Sequence, residues 1–542
     1  MPSSPAELVQ WLFASDLERA PRRLAARWLF LRALGLIFFS AFYSLLRQVN
    51  GLIGPDGLLP AQDYLQAIRQ VSGASRFWYV PTLLWLKSDS RSLLLLAWVG
   101  LIASVLLVLN FWPRGTIFIS LVAYLSFISA LQTFSSYQSD GMLLSAGFIS
   151  LFFAPPGFRP CWGERNPASR ASLFLLLLVW FTIYFESGVV KIASGDPEWR
   201  NLTAMVDYYQ NGPLPTWIGW YAHHLPHWFH VGTAAFTLAL ELVLVWLALL
   251  PRPFRIGLFW LVTPLQIGII LTSNYAFLNY LVLVLGILLL DDKYLAVFLP
   301  RRLREDRKED TKSVADLSPI SSTHANQGAR WGTLGRAFSS SGLWVAAFFQ
   351  TWVFYVIAAQ LVWMIVPRVP LPTSPVSTLE PFRIANQYGL FAVMTRGRYE
   401  IEFQGSTDGE KWTPYPFRYK PQDPREAPGI FAPYQPRFDW NLWFASLDNW
   451  QQNRFVIYAE ERLLTGSPSV LALFAGNPFP NAPPTQVRAV VWQYWFSDRA
   501  EKRQGLWWRR ELIGLYAPAL EREPDGKLLI TEYPQPGQRI RR

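Results

Sequence analysis

Long apolar segments constrain the fold of this chain more than any other feature. A helix that crosses a bilayer needs about 20 mostly apolar residues, because hydrocarbon offers no partner to backbone polar groups. The run LLLLAWVGLIASVLLVLNFW meets this requirement, and similar runs recur through residues 1–366. We predict a multi-pass helical membrane bundle of about nine spans, the fourth short enough to be re-entrant. The predicted spans are Trp28–Leu46, Leu93–Trp112, Thr116–Phe134, Met142–Ala154, Ala171–Val190, Val231–Leu250, Ile256–Thr272, Tyr275–Leu290 and Leu343–Ile365.

Basic residues are divided unequally between the loops on the two sides of these spans. Lys and Arg are far more frequent on one side, in the N-terminal tail and the loops 113–115, 155–170, 251–255 and 291–342. They are scarcer in the loops on the other side, which are 47–92, 135–141, 191–228 and 273–274. Short loops rich in Lys and Arg stay in the cytosol. We therefore expect a cytosolic N-terminus and, after an odd number of spans, an exported C-terminal half. Residues 301–332 are charged and then rich in Ser and Asn, which predicts a flexible cytosolic loop.

The charge and cysteine content exclude several functional classes. The net charge is +11, but most of the excess lies in the predicted cytosolic loops, so we expect no nucleic-acid partner. The one cysteine, Cys161, lies in the predicted loop 155–170, so the exported half has no thiol for a disulfide or for disulfide exchange. No nucleotide-binding or zinc-protease motif occurs in a supporting context. We predict no cofactor, and the bundle requires membrane lipid as a partner.

The pattern changes to short strands and Pro-rich turns in residues 367–542. Apolar residues alternate with polar ones on both sides of an Asp-Gly turn in YEIEFQGSTDGEKWTPYPFRY (399–419), which predicts a hairpin. We predict a further strand in NQYGLFAVMTRGR (386–398) and another in QVRAVVWQYWFS (486–497). Apolar residues at helical spacing in DWNLWFASL and NRFVIYAEERLLTG predict two helices. We predict an α+β domain with a β-sandwich-like portion.

Several long blocks resemble the lipase maturation factor family of multi-pass membrane proteins. They are rich in Trp, Pro and Gly and occur in family order: SSYQSDGMLLSAGFISLFFAP (135–155), ESGVVKIASGDPEWRNLTA (186–204), WYAHHLPHWFH (220–230), FRYKPQDPREAPGIFAPYQPRFDWNLWFASL (417–447), LLTGSPSVLALFAGNPFP (463–480) and VRAVVWQYWFS…GLWWRRELIGLY (487–516). One departure is Tyr434, where the resemblance leads us to expect His.

The resemblance implies a maturation factor or chaperone that assists folding or assembly of exported client proteins, lipases among them. It implies no catalytic residues. The expected location is the endoplasmic reticulum membrane, with the C-terminal domain in the lumen, or the inner membrane and periplasm for a bacterial member.

The exported blocks contain the candidate client-binding residues. Trp and Arg are the side chains most used at binding hot spots, and an exposed aromatic patch suits partly folded clients. The alternative is a Trp-rich core in a domain without disulfides, with Arg437 and Asp439 holding a turn. The candidates are Arg418, Tyr419, Arg437, Asp439, Trp440 and Trp443.

Ionisable residues near the predicted spans are the second group of interest. The block 186–200 places Glu186 near the end of a span and Lys191 beyond it. Charges at membrane depth face a cavity or a partner, although Lys191 could instead snorkel to the surface. Glu241 lies deep in a span with no evident partner, and pairing with Arg32 is one option.

Because of these charges, the alternative function is that of a membrane-embedded enzyme. Its cavity would be lined by Asp140, Glu186, Lys191 and His223, with carboxylase-like or lipid-modifying chemistry. Four of the five histidines lie in AHHLPHWFH (222–230), where His227 and His230 have metal-binding spacing. An interfacial aromatic belt explains the same run, so we predict no metal site.

Overall fold

A computed structural model describes residues 4–14, 23–298, 329–523 and 525–535 of the chain. Helices dominate the first two thirds: α1 (Pro5–Phe13), α2 (Leu24–Ile53), α3 (Ala61–Ser72), α4 (Arg76–Tyr79), α5 (Ser90–Val108), α6 (Pro113–Ala130), α7 (Gln138–Phe153), α8 (Arg170–Ala193), α9 (Pro197–Arg200), α10 (Ala204–Asn211), α11 (Trp217–His223), α12 (His227–Leu242), α13 (Arg252–Thr272), α14 (Leu278–Gly286), α15 (Asp292–Leu295) and α16 (Ala329–Ile365). The first 28 residues of the predicted loop 301–332 lie outside the described residues, and Ala329–Gly332 already belong to α16.

Seven of the described helices are long and apolar enough to cross a membrane. They are Leu24–Ile53, Ser90–Val108, Pro113–Ala130, Arg170–Ala193, His227–Leu249, Arg252–Thr272 and Ser341–Ile365. The other two predicted spans correspond to α7, which has 16 residues, and to the apolar helix Leu278–Leu289. α7 begins beside Arg437 of the C-terminal domain and ends beside Arg114 at the start of α6. Leu278–Leu289 ends beside Arg23 at the start of α2.

Buried polar contacts define one end of the bundle. The Asp292 carboxylate accepts hydrogen bonds from the Leu24 and Ala25 N–H groups at 2.9 and 2.8 Å, which caps the start of α2. The buried Arg27 guanidinium donates to the carbonyls of Trp162 and Gly163. The start of α2, the loop 155–170 and the chain after α14 therefore lie together, as the division of the loops predicts.

The C-terminal domain packs on the opposite end. Its helices are α17 (Ser374–Leu379), α18 (Arg437–Ser446), α19 (Phe455–Leu464), α20 (Pro468–Leu471) and α21 (Arg499–Arg503), and its strands are β1 (Arg398–Ser406), β2 (Thr413–Pro414), β3 (Gln486–Phe496), β4 (Trp508–Leu515), β5 (Ala519–Arg522) and β6 (Leu528–Glu532). The strands form one antiparallel sheet in the order β2-β1-β3-β5-β6, with β4 also paired to β3. The multi-pass bundle followed by an α+β domain is thus confirmed, and the described strands of that domain form a single sheet in place of a sandwich.

The predicted hairpin and helices of this domain are confirmed. β1 pairs with β2 around a turn in which Gly409 has φ +79°, a conformation that suits glycine. Tyr399, Ile401 and Phe403 are buried, and the ring of Phe403 packs on Phe438 of α18. The sheet and α18 therefore share one aromatic core.

The strand predicted over residues 386–398 is wrong except for Arg398, which begins β1. Residues 386–397 have no regular secondary structure. Their backbone N–H groups are bonded by side chains of the bundle instead of by a neighbouring strand, as described below. Tyr388 and Met394 are buried, and burial of residues an even number apart explains a strand-like pattern without a strand.

Candidate functional site

The interface between the bundle and the C-terminal domain gathers most of the predicted site residues. Two segments form it, residues 428–437 and residues 386–395, which we call the first and second docking segments; both are irregular except at Arg437, the first residue of α18. In both, side chains of the bundle bond the backbone of the C-terminal domain. Backbone groups buried away from water need such partners.

The first docking segment is held by one face of α2. The Ser40 hydroxyl donates to the Pro433 carbonyl at 2.7 Å, and the Ser44 hydroxyl accepts from the Gln435 N–H at 2.9 Å. The Gln48 amide donates to the Gln435 carbonyl at 2.8 Å. Residues 40, 44 and 48 are spaced one helical turn apart, so all three face the segment.

Asn274, between α13 and α14, holds the beginning of the same segment. Its side-chain oxygen accepts from the Phe431 and Ala432 N–H groups at 2.9 and 3.0 Å, and its amide donates to the Gly429 carbonyl at 2.9 Å. The side chain is fully buried. A single amide thus satisfies three backbone groups of the C-terminal domain.

A buried ion pair ends the first docking segment. Arg437 donates from both terminal nitrogens to the two carboxylate oxygens of Asp140, at 2.8 and 2.9 Å, and both side chains are inaccessible to water. Tyr124 donates its hydroxyl to Asp140 at 2.7 Å, and Arg437 also donates to the Phe134 carbonyl. A bidentate pair with these additional bonds has the geometry that offsets desolvation.

Carboxylates of the bundle hold the second docking segment. Glu186 accepts from the Tyr388 N–H and Asp196 accepts from the Met394 N–H, each at 2.6 Å. Between them, the Trp199 indole donates to the Phe391 carbonyl at 2.9 Å. Glu186 and Asp140, two residues of the alternative catalytic set, therefore contact the C-terminal domain.

The other two residues of that set lie elsewhere, so the four do not line one cavity. Lys191 is buried and donates to both carboxylate oxygens of Glu241 at 2.9 and 2.8 Å. Pairing of Glu241 with Arg32 is therefore wrong, and so is snorkelling of Lys191, because the bundle supplies a buried counter-ion. His223 packs on Phe496 and on the neighbouring His224 ring, and burial lowers its pKa to about 4.

The histidine run does not gather into a metal site. His227 is exposed at the start of α12, whereas His230 is buried and bonded to the Leu225 carbonyl. No group of three or more His, Cys, Asp or Glu with metal-binding geometry occurs in the part of the chain that the structure describes.

The candidate client-binding residues are mostly buried. Arg437, Asp439, Trp440 and Trp443 are each at most 8% exposed, so they do not form an exposed aromatic patch. Burial raises the pKa of Asp439 to about 7, although the Tyr419 N–H and the Lys420 charge act in the opposite direction. This arrangement matches the alternative of a Trp-rich core.

Arg418 and Tyr419 lie at the surface. Arg418 is exposed, and Tyr419 is half-buried with its ring packed on Phe431 and Tyr434. Tyr434 also packs on Tyr43 of α2, so the residue found in place of the expected His joins the first docking segment to the bundle.

An open cleft of about 410 Å³ lies between the bundle and the C-terminal domain. Trp440 and Trp443 line it from α18, and Phe444 and Val393 are exposed beside them. Aromatic and aliphatic side chains make up most of its wall, and Ser136, Gln138, Asn211 and Thr395 add polar groups. We call this the interdomain cleft.

Comparison with known proteins identifies the family. The description "Lipase maturation factor transmembrane domain" matches residues 25–297, and "Lipase maturation factor C-terminal domain" matches residues 384–518. Lipase maturation factor 2 of Homo sapiens is 32% identical over 94% of this chain and 84% of its own length. The chain belongs to the lipase maturation factor family. Lipase maturation factor 1 of Bos taurus is 31% identical over 96% of this chain and 94% of its own length.

Other lipase maturation factors show the same extent of similarity. Lipase maturation factor 2 of Gallus gallus is 32% identical over 92% of this chain. No solved structure matches the chain. Membership of this multi-pass family confirms the resemblance seen in the sequence blocks, and both docking segments lie within the match to the C-terminal domain.

Sequence reasoning missed the residues that join the two halves of this lipase maturation factor. Ser40, Ser44 and Gln48 follow one another at intervals of four residues on α2, and that spacing was a usable signal. Asn274 gave a weaker signal, as a lone amide in the SNY break between two spans. Only the structure shows that these four residues bond the backbone of the C-terminal domain.

Proposed function

We propose that this chain is a membrane-anchored maturation factor that assists the folding or assembly of exported lipases, with its C-terminal domain on the non-cytosolic side. The observation that carries the proposal is the match to lipase maturation factors through both halves of the chain. The dense docking contacts support a single working unit, in which the bundle orients the C-terminal domain at the membrane.

The interdomain cleft is the surface that we assign to the client. Its lining is mainly aromatic and apolar with a few polar groups, and Phe444 at 46% exposure is available for contact. Aromatic residues combined with polar groups are common at binding surfaces. An extended apolar segment of a partly folded lipase fits this chemistry, because such segments are exposed only before folding is complete.

The test is complementation in cells that lack their own lipase maturation factor and express a secreted lipase dependent on it. We expect the full chain to restore secreted lipase activity per unit of lipase protein. Phe444→Ser should lower that activity several-fold at equal expression. Leu512→Ser is the matched control, because Leu512 is 48% exposed on β4 and does not line the cleft.

Two outcomes would count against this assignment. Failure of the full chain to restore any lipase activity would contradict the lipase client. Restored activity that falls equally in the two variants, or in neither, would contradict the cleft as the client surface.

The single cysteine offers a direct test of orientation. Cys161 is exposed in the loop 155–170, at the end of the bundle away from the C-terminal domain. In sealed vesicles a membrane-impermeant maleimide should label it from the cytosolic side. In a Cys161→Ser background, a Thr407→Cys variant at an exposed turn should be labelled only after the membrane is opened. Labelling of both from the same side would refute the proposed topology.

A further inference from the structure

A second cavity, of about 380 Å³, lies among α8, α12, α13 and α14, and its lining also includes residues of α9–α11 and Leu390 and Phe391 of the second docking segment. It differs from the interdomain cleft because its walls are mainly residues of candidate membrane spans. We call it the bundle cavity. Its lining is mostly apolar with a few polar groups, which is typical of sites for small molecules.

The bundle cavity opens sideways between α12 and α13. These two helices are the least covered by protein of the seven candidate spans, since only 17% of each apolar window is buried. They are joined through Leu244–Leu249 and otherwise have little contact with each other. Phe236 on α12 and Pro264 and Gly268 on α13 belong to the lining and are exposed. The opening therefore faces bilayer hydrocarbon, and a membrane lipid has direct access.

The charges in the lining favour an uncharged occupant. Lys191 and Glu241 are the two charged residues of the lining, and they neutralise each other at 2.8 Å. A charged ligand would enter a low-dielectric space without a counter-ion, which is costly. The pair thus selects against anionic lipids and free fatty acids.

The remaining polar groups offer both donors and acceptors. Asn279 donates to Gln266 at 2.7 Å, and Gln266 donates to the Tyr184 hydroxyl at 2.9 Å, which leaves the Tyr184 O–H as a donor. Thr233 and Thr237 on α12 donate to carbonyls one turn earlier and keep acceptor capacity on their hydroxyl oxygens. A ligand with ester carbonyls and a free hydroxyl satisfies both kinds of group.

We infer that the bundle cavity binds an uncharged glycerolipid of the diacylglycerol type, whose acyl chains pass between α12 and α13 into the bilayer. The inference rests on the cavity, its opening and its neutral ion pair, and it does not depend on the proposed lipase client. It adds a specific lipid site to the bundle.

The test uses the full chain in lipid nanodiscs and a diacylglycerol with a photoactivatable diazirine in one acyl chain. We expect light-dependent labelling of peptides from α12 or α13. Unlabelled diacylglycerol should compete, whereas phosphatidic acid with the same acyl chains should compete at least about tenfold less well, a difference of 1.4 kcal/mol or more. Absence of labelling, or equal competition by the two lipids, would overturn the inference.

Two glycines of α13 provide a matched pair of variants. A Cβ atom at Gly268 or at Gly257 meets no atom within 4 Å, so both positions accept a side chain without a clash. Gly268→Phe should fill the opening and reduce labelling by about tenfold or more, whereas Gly257→Phe, three turns away, should leave it unchanged. Equal labelling of the two variants would contradict the proposed opening.

A third variant tests the polar end of the bundle cavity independently of its opening. Tyr184→Phe removes the proposed donor and should weaken competition by diacylglycerol by about two- to tenfold, the usual effect of one hydrogen bond. Unchanged competition would exclude Tyr184 from contact with the head group and contradict this part of the inference.

Discussion

The ion pair between Asp140 and Arg437 predicts strong energetic coupling between the bundle and the C-terminal domain. Both side chains are completely buried, and two direct bonds of 2.8 and 2.9 Å join them. Asp140→Asn leaves a buried guanidinium without a counter-charge, and Arg437→Met leaves a buried carboxylate. Each single variant should therefore lower the free energy of unfolding by about 3–5 kcal/mol. The double variant removes both charges and should cost at least ~2 kcal/mol less than the sum of the two.

The assay is a double-mutant cycle in mixed micelles, with unfolding by increasing SDS followed through tryptophan fluorescence. The control cycle uses Arg252→Met and Asp291→Asn, because this pair lies at the other end of the bundle and is partly exposed. Its coupling should be below about 1 kcal/mol. The reasoning fails if the Asp140 and Arg437 variants are additive within about 0.5 kcal/mol, or if the control pair couples as strongly.

Three further predictions concern single positions. Lys191→Met should lower thermal stability strongly, because it leaves the buried charge of Glu241 unpaired. Adding Glu241→Gln should restore part of that stability in a thermal shift assay. A double variant less stable than the single one would contradict this. The pKa of Asp439 is raised to about 7, above its value in the unfolded chain, so its contribution to stability should fall as pH rises from about 4 to 7 and then level off. Asp439→Asn should flatten that slope between about pH 4 and pH 7, and an unchanged slope would refute the shift. Gly51→Val should weaken docking, because a Cβ there would lie 2.5 Å from the Ser469 carbonyl oxygen; limited proteolysis should then cleave the C-terminal domain faster than in the parent chain.

The features that sequence predicted correctly depend on residues close together in the chain. Apolar runs such as Leu93–Trp112 identify spans because length and composition suffice, and alternation in β1 identifies a strand because the period is local. The helices α18 and α19 were predicted for the same reason. The division of loops between the two ends of the bundle also followed from the order of the spans alone.

The features that sequence did not predict depend on pairs far apart in the chain. Lys191 and Glu241 are 50 residues apart, and Asp140 and Arg437 are 297 residues apart, so no local pattern joins them. The strand predicted over residues 386–398 failed because partners on the bundle, and not a neighbouring strand, satisfy its backbone. Alternation reports which side chains are buried, and it does not identify what buries them.

The length of α2 sets where the C-terminal domain sits. Its 30 residues extend for about 45 Å, against about 30 Å of bilayer hydrocarbon. Ser40, which holds the first docking segment, lies only about 24 Å from the start of the helix. The C-terminal domain therefore contacts α2 along its second half, well before the helix ends. Cutting the chain after α16 would free a fragment in which the Arg437 guanidinium and the N–H groups of Tyr388 and Gln435 had lost their partners on the bundle. The two halves therefore need to be expressed and purified together.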